Sequence, residues 1–425
     1  MTTLVAPSVA AGPATTTTAC RHCGTALSRS FVDLGMSPLC ESFLPAAALD
    51  QMEPFYPLHV FVCDRCFLVQ LREYVTPEDI FTEYAYFSSY ATSWLDHARR
   101  YTDQMIDRFR LTPEHRVVEV ASNDGYLLQY FVARGIPALG IEPAANVAEA
   151  ARARGVETLV KFFGQRTAEE LVRDGLQADL LLGNNVLAQV PDVNDFVAGM
   201  KTLLRAGGVI TMEFPHLSQL VAGNQFDTIY HEHFSYFSFL STERIFAAQG
   251  LDLFDVEELP THGGSLRIYA CHRGDTSHPS TDRVAAMRQR EHAEGIDTLE
   301  FYTAFGQNVQ ATKRRLLQFL ITAREQGLKV AGYGAPGKGN TLLNYCGIRT
   351  DFLDYTVDRN PYKHGRFTPG THIPIYSPEK IFETKPDYLL ILPWNVKDEI
   401  MQQMAQVREW GCKFVVPIPD VTVYP

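Results

Sequence analysis

The sequence predicts an α/β protein with three units, a small cysteine-containing module followed by two doubly wound αβ domains. The first observation is length, because 425 residues exceed the roughly 250–300 that one hydrophobic core supports. The second is that stretches beginning near Arg116 and Leu328 alternate short apolar strands with helical segments, which is typical of parallel sheets covered by helices. The third is that five of the eight cysteines lie in the first 66 residues.

Composition and charge exclude several classes of protein. The chain is 46% hydrophobic and 20% charged, as in soluble globular proteins, and its formal net charge of −11 disfavours nucleic acid as a partner. No apolar run is long enough for a membrane helix, and residues 1–19 lack the features of a secretory signal. We therefore expect a disordered tail over 1–19 and a cytoplasmic protein without membrane contact. Oligomeric state is left open, with a monomer plausible.

The first unit, residues 20–80, contains two Cys-x-x-Cys pairs separated by 39 residues. The four residues are Cys20, Cys23, Cys63 and Cys66. Together the pairs supply four thiolates, which is the ligand set of a tetrahedral zinc site. Four thiolates leave no open coordination position, so the predicted zinc is structural. A redox dithiol is the alternative, although it needs only one pair. Neither Cys40 nor His22 is expected to bind the metal.

The second unit is predicted over residues 81–280. A helix over 93–111 leads into it, and from Arg116 the order is strand, turn, helix and strand. Further strands are predicted at 179–182, 208–214 and 265–270. Ligands of such domains bind in the crevice beyond the carboxyl ends of the strands. The turns that follow the first two strands are therefore the candidate binding site.

The turn from Glu119 to Gly125, EVASNDG, predicts a nucleoside site without a pyrophosphate cradle. Ala121 and Asn123 stand where the dinucleotide fingerprint G-x-G-x-x-G has glycine. The second strand ends at Glu142, and an acidic residue at this place accepts both ribose hydroxyls. A structural turn followed by an exposed glutamate is the alternative interpretation.

Several segments in a fixed order span nearly the whole chain. After the cysteine module and VVEVASNDGYLL come GIEPAANVA, TIYHEHFSYFS at 228–238, THGGSLR at 261–267 and GYGAPGKGN, which ends at Asn340. In this order they resemble class I methyltransferases that use S-adenosylmethionine, and more narrowly the C-methyltransferases of nucleotide-linked deoxysugars. The resemblance implies a zinc-binding module, a Rossmann-like class I methyltransferase domain and a second doubly wound domain.

The resemblance also implies a set of residues that bind the methyl donor. Glu142 would hold the ribose, Gly125 would line the methionine part, and the stretch around Phe162 would lie near the adenine. Asn184 and Asn185 would form the floor beneath the sulfonium. The complete predicted set is Glu119, Ala121, Asn123, Gly125, Glu142, Phe162, Asn184 and Asn185.

The segment 230–233 carries a cluster suited to proton abstraction. Methylation at carbon requires a carbanion equivalent, which a carbon next to a ketone supplies as an enolate. His233 is assigned as the base because imidazole titrates near pH 6.5. Glu232 orients it or replaces it, and Tyr230 donates a hydrogen bond to the enolate oxygen. An ordinary polar cluster is the alternative. Gln189 stands where relatives carry histidine and cannot serve as a base.

The third unit, residues 281–425, is predicted to begin with a helical connection and to continue as the second doubly wound domain. The turn from Gly332 to Gly337 matches G-x-G-x-x-G, and Asp358 follows about twenty residues later. An NAD-dependent nucleotide-sugar oxidoreductase is therefore the alternative function. A P-loop fails, because Gly339 replaces the Ser or Thr that binds magnesium. The glycine-rich turn predicts a site for the diphosphate of a substrate.

The expected substrate contacts come from two parts of the chain. Five are predicted near the diphosphate, Gly337, Lys338, Asn340, Arg359 and Asn360, and two, Tyr84 and Tyr86, over the sugar. The resemblance implies methylation at C3 of a dTDP-linked 4-keto-deoxyhexose through an enolate, in the biosynthesis of an antibiotic deoxysugar. A nucleotide-sugar-binding protein without activity is the non-catalytic alternative.

Overall fold

The computed structural model describes residues 18–77, 80, 87–90 and 92–425. Almost all of the expected N-terminal tail lies outside the described residues, and so do Tyr84 and Tyr86. In the described part of the chain, strands form a four-stranded, a seven-stranded, a six-stranded and a two-stranded sheet. No helix there combines the length and the apolar character needed to cross a bilayer.

The described strands and helices follow one another in this order along the chain. The strands are β1 Arg29–Ser37, β2 Leu44–Pro45, β3 Tyr56–Val62, β4 Val69–Leu71, β5 Val117–Val120, β6 Ala138–Ile141, β7 Glu157–Leu159, β8 Ala178–Asn184, β9 Leu204–Pro215, β10 Ser235–Tyr236, β11 Leu251–Leu259, β12 Ser265–His272, β13 Val330–Tyr333, β14 Thr356–Val357, β15 Arg366–Phe367, β16 Ile375–Tyr376, β17 Tyr388–Ile391, β18 Lys413–Val416 and β19 Thr422–Tyr424. The helices are α1 Thr92–Phe109, α2 Leu128–Val132, α3 Ala145–Ala153, α4 Gln165–Arg173, α5 Val193–Leu203, α6 Leu217–Ala222, α7 Phe239–Ala248, α8 Asp282–Glu294, α9 Glu300–Thr303, α10 Phe305–Glu325, α11 Gly337–Cys346, α12 Glu379–Thr384 and α13 Lys397–Gln403.

The N-terminal sheet has the order β1-β3-β4-β10. Its fourth strand, β10, comes from a segment far along the chain and pairs antiparallel with β4, Ser235 opposite Gln70. The Leu71 amide also donates to the Phe234 carbonyl at 3.0 Å. The predicted catalytic segment therefore enters the sheet of the cysteine module as soon as it has passed residue 233.

The seven-stranded sheet has the order β11-β12-β9-β8-β5-β6-β7. The five strands from β5 to β9 are parallel, and β12 and β11 add antiparallel strands at one edge. The chain proceeds outward from β5 in both directions, so the carboxyl ends of β5 and β8 form a topological switch point. The predicted α/β class with a Rossmann-like domain is confirmed.

The six-stranded sheet has the order β16-β14-β13-β17-β18-β19, in which only β19 is antiparallel. The helical connection before it is divided into α8, α9 and α10. The first break comes at Gly295, which adopts the left-handed conformation with φ 81°. Gly327, just after α10, also has positive φ, 72°, as is common where helices end. The cysteine module packs on this domain, since Phe31 stacks on Phe305 with ring centroids 4.5 Å apart.

A buried carboxylate joins α8 to the methyltransferase-like domain. Glu291 is fully buried and accepts hydrogen bonds from His216 Nε2 at 2.7 Å and from the backbone amides of Phe239 and Leu240 at 2.6 and 2.8 Å. These amides open α7, so the carboxylate both caps that helix and pairs with the imidazole.

Replacing Glu291 by Leu is expected to lower the free energy of unfolding by about 3–5 kcal/mol, because three buried donors lose their acceptor. Urea denaturation followed by circular dichroism measures the change. Glu325→Leu is the matched control, since that glutamate is exposed near the end of α10 and its loss should change stability by less than about 0.5 kcal/mol. Equal effects of the two substitutions would contradict the role of Glu291.

Candidate active site and metal centre

A cleft of about 500 Å³ lies where the cysteine module and the two large domains meet. The module contributes Cys40 and Glu41, and the seven-stranded sheet contributes the carboxyl ends of its central strands. The predicted residues that line the cleft are Ala121, Asn123, Glu142, Phe162, Asn184, Asn185, Tyr230, Glu232, His233, Gly337 and Lys338. The structure thus gathers residues from both predicted nucleotide folds and from the catalytic segment around one cavity.

The four predicted thiolates form a cluster apart from this cleft. Their sulfur atoms all lie within 4.8 Å of one another, with Cys20 Sγ and Cys23 Sγ each 3.5 Å from a sulfur of the second pair. Four converging sulfurs fit tetrahedral zinc, and among the residues that the structure describes the cluster holds these four donors alone, which agrees with a structural ion. The structure brings the four predicted ligands together in one cluster that could hold a metal ion, and Cys40 and His22 lie outside it.

The residues between the first two cysteines tie the metal centre to the wall of the cleft. Arg21 Nη1 donates to the carbonyl of Pro191 at 2.7 Å, and Pro191 lines the cleft. His22 Nδ1 contacts Asn194 Oδ1 at 3.0 Å, and the Asn194 amide donates back to the His22 carbonyl at 2.9 Å. Arg21 and His22 therefore hold the first turn of α5 and the residues just before it.

The end of the cleft nearest β5 and β6 fits the polar groups of a nucleoside. Glu142 is buried, and its two carboxylate oxygens accept from the amides of Asn123 and Ala144 at 2.9 and 3.0 Å, while burial raises its pKa. Both amide atoms of Asn184 are buried and have no hydrogen-bond partner among the described residues. Orphaned buried polar atoms beside a cleft indicate a ligand that completes their hydrogen bonding, as S-adenosylmethionine would.

Two predicted cofactor residues do not line the cleft. Glu119 lies within β5 and is fully buried, and burial together with the neighbouring Glu142 raises its pKa well above the usual value. Gly125 has φ 75°, and a Cβ there would lie 3.0 Å from Val156 Cγ2, so this glycine serves the turn and its packing. By contrast, Ala121 lines the cleft with a left-handed φ of 55°.

The catalytic segment forms a turn, which allows Tyr230, Glu232 and His233 to face the same cavity. The Tyr230 and His233 rings lie 4.1 Å apart between centroids. His233 Nδ1 donates to the Thr228 carbonyl at 3.0 Å, which leaves Nε2 as the acceptor of a neutral ring. Burial lowers the pKa of His233 to about 4, so the imidazole is neutral at physiological pH and able to take a proton.

The cysteine module places two further residues in the cleft that carry no sequence motif. Cys40 Sγ lies 3.6 Å from Glu232 Oε1, and burial together with this carboxylate raises the pKa of the thiol. Glu41 accepts from the backbone amide of Gly337 and lies 3.6 Å from Lys363 Nζ. The start of α11, predicted to hold a phosphate, is thus already contacted by a carboxylate.

The predicted diphosphate residues separate into two groups. Gly337 and Lys338 line the cleft, and Lys338 donates to Asn395 Oδ1 at 2.8 Å. Lys363, which is not among the predicted residues, lines it as well. Three others do not line it. Arg359 is exposed and lies 3.6 Å from Glu399, Asn360 caps the Tyr362 amide at 3.0 Å, and Asn340 donates to the Cys40 carbonyl at 2.6 Å.

The glycine-rich turn offers little room for a dinucleotide. A Cβ on Gly334 would lie 2.5 Å from Pro393 Cδ, so the space beside this glycine is filled by the protein. The two carboxylate oxygens of Asp358 accept from the amides of Ala335 and Asn360 at 2.7 and 2.8 Å. Both oxygens of the carboxylate that a dinucleotide site would offer to the ribose therefore already accept hydrogen bonds from the protein backbone. The geometry does not support the oxidoreductase alternative.

Comparisons with known proteins agree with this arrangement. Three family models match, for a zinc binding domain over 20–81, a methyltransferase domain over 94–256 and a C-methyltransferase C-terminal domain over 260–419. The C-methyltransferase NovU of Streptomyces niveus is 37% identical over 405 residues, which cover 95% of this chain and 96% of NovU. Among solved structures, S-adenosylmethionine-dependent methyltransferases of Clostridium acetobutylicum and Anabaena variabilis are 11% and 13% identical, each over 42% of this chain and over 92% and 85% of their own, both with TM-score 0.34.

Proposed function

The chain belongs to the family of S-adenosylmethionine-dependent C-methyltransferases, and from this premise we propose that it methylates C3 of a dTDP-linked 4-keto-deoxyhexose. The observation that carries the proposal is the single cleft, which joins a nucleoside-type site at Glu142 and Asn184 to a neutral histidine at His233. The product would serve the biosynthesis of an antibiotic deoxysugar.

Three side chains of the cleft have separate roles in the proposed reaction. Bound S-adenosylmethionine supplies an electrophilic methyl group to a carbon nucleophile. His233 Nε2 removes the proton from C3, and Tyr230 donates to the oxygen on which negative charge develops. Glu232 contacts Cys40 and is the alternative base. Glu232 is buried, whereas Tyr230 and His233 are half-buried at the wall of the cleft, where they can reach a bound sugar.

The nucleotide diphosphate is assigned to the cationic side of the cleft. Lys338 and Lys363 both line it, and an ammonium group balances phosphate charge without requiring a fixed plane of donors. Their local charge outweighs the long-range effect of the net charge of −11. The exposed Arg359 is not needed for this contact.

Three further properties complete the proposal. We assign the zinc-binding module to residues 20–80, the methyl-donor domain to 81–280 and the nucleotide-sugar domain with its helical connection to 281–425. A cytoplasmic location would keep the metal-binding thiols reduced. A monomer is compatible with this scheme.

The proposed reaction is tested with dTDP-4-keto-6-deoxyglucose in deuterated buffer. We expect the protein to exchange the C3 proton for deuterium, and, after addition of S-adenosylmethionine, to yield a product heavier by one methyl group in mass spectrometry. Oxidation of a reduced nicotinamide by the same sugar, with no methyl transfer, would overturn the proposal. A non-catalytic sugar-binding protein would bind the nucleotide sugar and give neither exchange nor methylation.

Glu142 provides a test of the cofactor end. Glu142→Gln is expected to weaken S-adenosylmethionine about 10- to 100-fold, because a charge-assisted hydrogen bond to the ribose contributes about 1.5–3 kcal/mol. Isothermal titration calorimetry measures the dissociation constant. Glu149→Gln is the control, since Glu149 is exposed on the neighbouring helix α3. Unchanged binding of S-adenosylmethionine in Glu142→Gln would show that the ribose does not bind this carboxylate.

A further inference from the structure

The turn between β11 and β12 has an unusual backbone. Three consecutive residues adopt positive φ, with His262 at 54°, Gly263 at 88° and Gly264 at 118°. Glycine accepts this conformation freely, whereas histidine does so only where the surrounding structure enforces it. Left-handed residues other than glycine concentrate at functional sites. His262 is the strained residue of this turn, and its side chain lines the cleft.

The surrounding residues hold the turn in this conformation. Gln225 Nε2 donates to the Gly263 carbonyl at 2.8 Å, and a Cβ on Gly263 would lie 2.6 Å from Trp394 Cη2. The His216 amide donates to the Gly264 carbonyl at 3.0 Å. Residues of both large domains thus hold the backbone of the turn in place, and this backbone positions the His262 side chain before a ligand binds.

The imidazole of His262 lines the cleft beside Asn185, a residue of the predicted cofactor site. Its Nε2 lies 3.2 Å from Asn185 Nδ2, and Asn185 is itself left-handed, with φ 59°. Because the amide donates to Nε2, the proton of the neutral ring is on Nδ1. Burial, reinforced by Lys338, lowers the pKa of His262 to about 4. The side chain is therefore an uncharged donor, oriented by an asparagine of the cofactor floor.

Three groups able to hold positive charge converge on the cavity. His262 lines it together with His233 and Lys338, and both of these disfavour its protonation. A neutral imidazole N–H and an ammonium group can each donate a hydrogen bond to an anion. In the proposed reaction, the anion is the enolate oxygen.

We propose that His262 is a second catalytic histidine, which donates a hydrogen bond from Nδ1 to the C4 oxygen of the substrate as the enolate forms. This inference rests on the proposed function. The base takes the C3 proton, the C–H electron pair becomes the C3–C4 double bond, and negative charge moves to the oxygen held by His262. When C3 bonds to the methyl carbon, the methyl–sulfur bond breaks, its electron pair stays on sulfur, and the ketone reforms.

The test separates enolisation from methyl transfer and from cofactor binding. His262→Asn keeps a residue that tolerates positive φ, and His262→Gly removes the side chain without backbone strain. We expect the rate of C3 deuterium exchange to fall about 10²- to 10³-fold in both variants, with the dissociation constant of S-adenosylmethionine within about twofold of wild type. Added imidazole should partly restore exchange in His262→Gly. The control His292→Asn, at an exposed histidine, should exchange at the wild-type rate.

Each alternative outcome has a distinct meaning. Exchange at the wild-type rate in a folded His262→Gly would overturn the inference while leaving the proposed function intact. Weaker S-adenosylmethionine binding with normal exchange would overturn it too, since the residue would then belong to the cofactor site. Failure of the wild-type protein to exchange the C3 proton would instead reject the proposed function itself.

Discussion

His233→Asn is expected to lower both C3 deuterium exchange and methyl transfer by about 10²- to 10⁴-fold, the usual contribution of a general base. The residue is the best-placed proton acceptor in the cleft, because its Nδ1 proton is held by the Thr228 carbonyl and its Nε2 is free to accept. Exchange is measured by mass spectrometry without S-adenosylmethionine, and transfer with it.

Two variants separate the candidate bases. Glu232→Gln should retain more exchange than His233→Asn if the glutamate only orients its neighbour. His231→Asn is the matched control, since its imidazole points away from the cleft to the Pro57 carbonyl at 3.3 Å. Undiminished exchange in His233→Asn together with its loss in Glu232→Gln would reverse the assignment.

The pH profile gives a second check of the base. Burial lowers the pKa of His233 to about 4, so the neutral, proton-accepting form persists as the pH falls and is lost only near that value. We expect kcat to stay level from about pH 8 to about pH 5 and to decline below it. A decline centred near the ordinary imidazole value of about 6.5 would show that His233 is not buried in the working enzyme.

Cys63→Ser is expected to abolish stoichiometric zinc binding and to unfold the N-terminal module. Removing one thiolate leaves three of the four converging sulfurs, and structural zinc contributes about 10–16 kcal/mol of apparent binding free energy in zinc-finger peptides. Metal analysis and limited proteolysis follow the two effects. Cys412→Ser is the control, because Cys412 is buried outside the cluster and its loss should leave the zinc content unchanged.

Loss of the module should also weaken cofactor binding, because Arg21 holds the carbonyl of Pro191 in the wall of the cleft. A Cys63→Ser protein that binds S-adenosylmethionine normally would show that this connection has no energetic effect. A Cys63→Ser protein that retains one zinc per chain would show that three thiolates suffice.

Local patterns identified the parts of the molecule whose geometry is set within a few residues. Each Cys-x-x-Cys pair forms its own turn, and the two turns meet as predicted. The strand predicted at 208–214 lies within β9, Leu204–Pro215, since alternating strands and helices create their own apolar faces. Glu142 was found because a strand end has a fixed relation to the crevice beyond it.

The tertiary structure decided which side chains share a cavity. Arg359 was predicted to contact the diphosphate and Lys363 was not, yet of the two it is Lys363 that lines the cleft. Cys40 reaches Glu232 across 192 positions of the chain, a contact that no spacing rule anticipates. The turn that carries His262 is held at Gly263, whose carbonyl accepts from Gln225 and whose backbone lies against Trp394. The sequence alone determined the fold class and the metal ligands, because these depend on short-range periodicity and spacing. The packing of three units against one another determined the active site, because the direction of each side chain depends on neighbours that are distant in the chain.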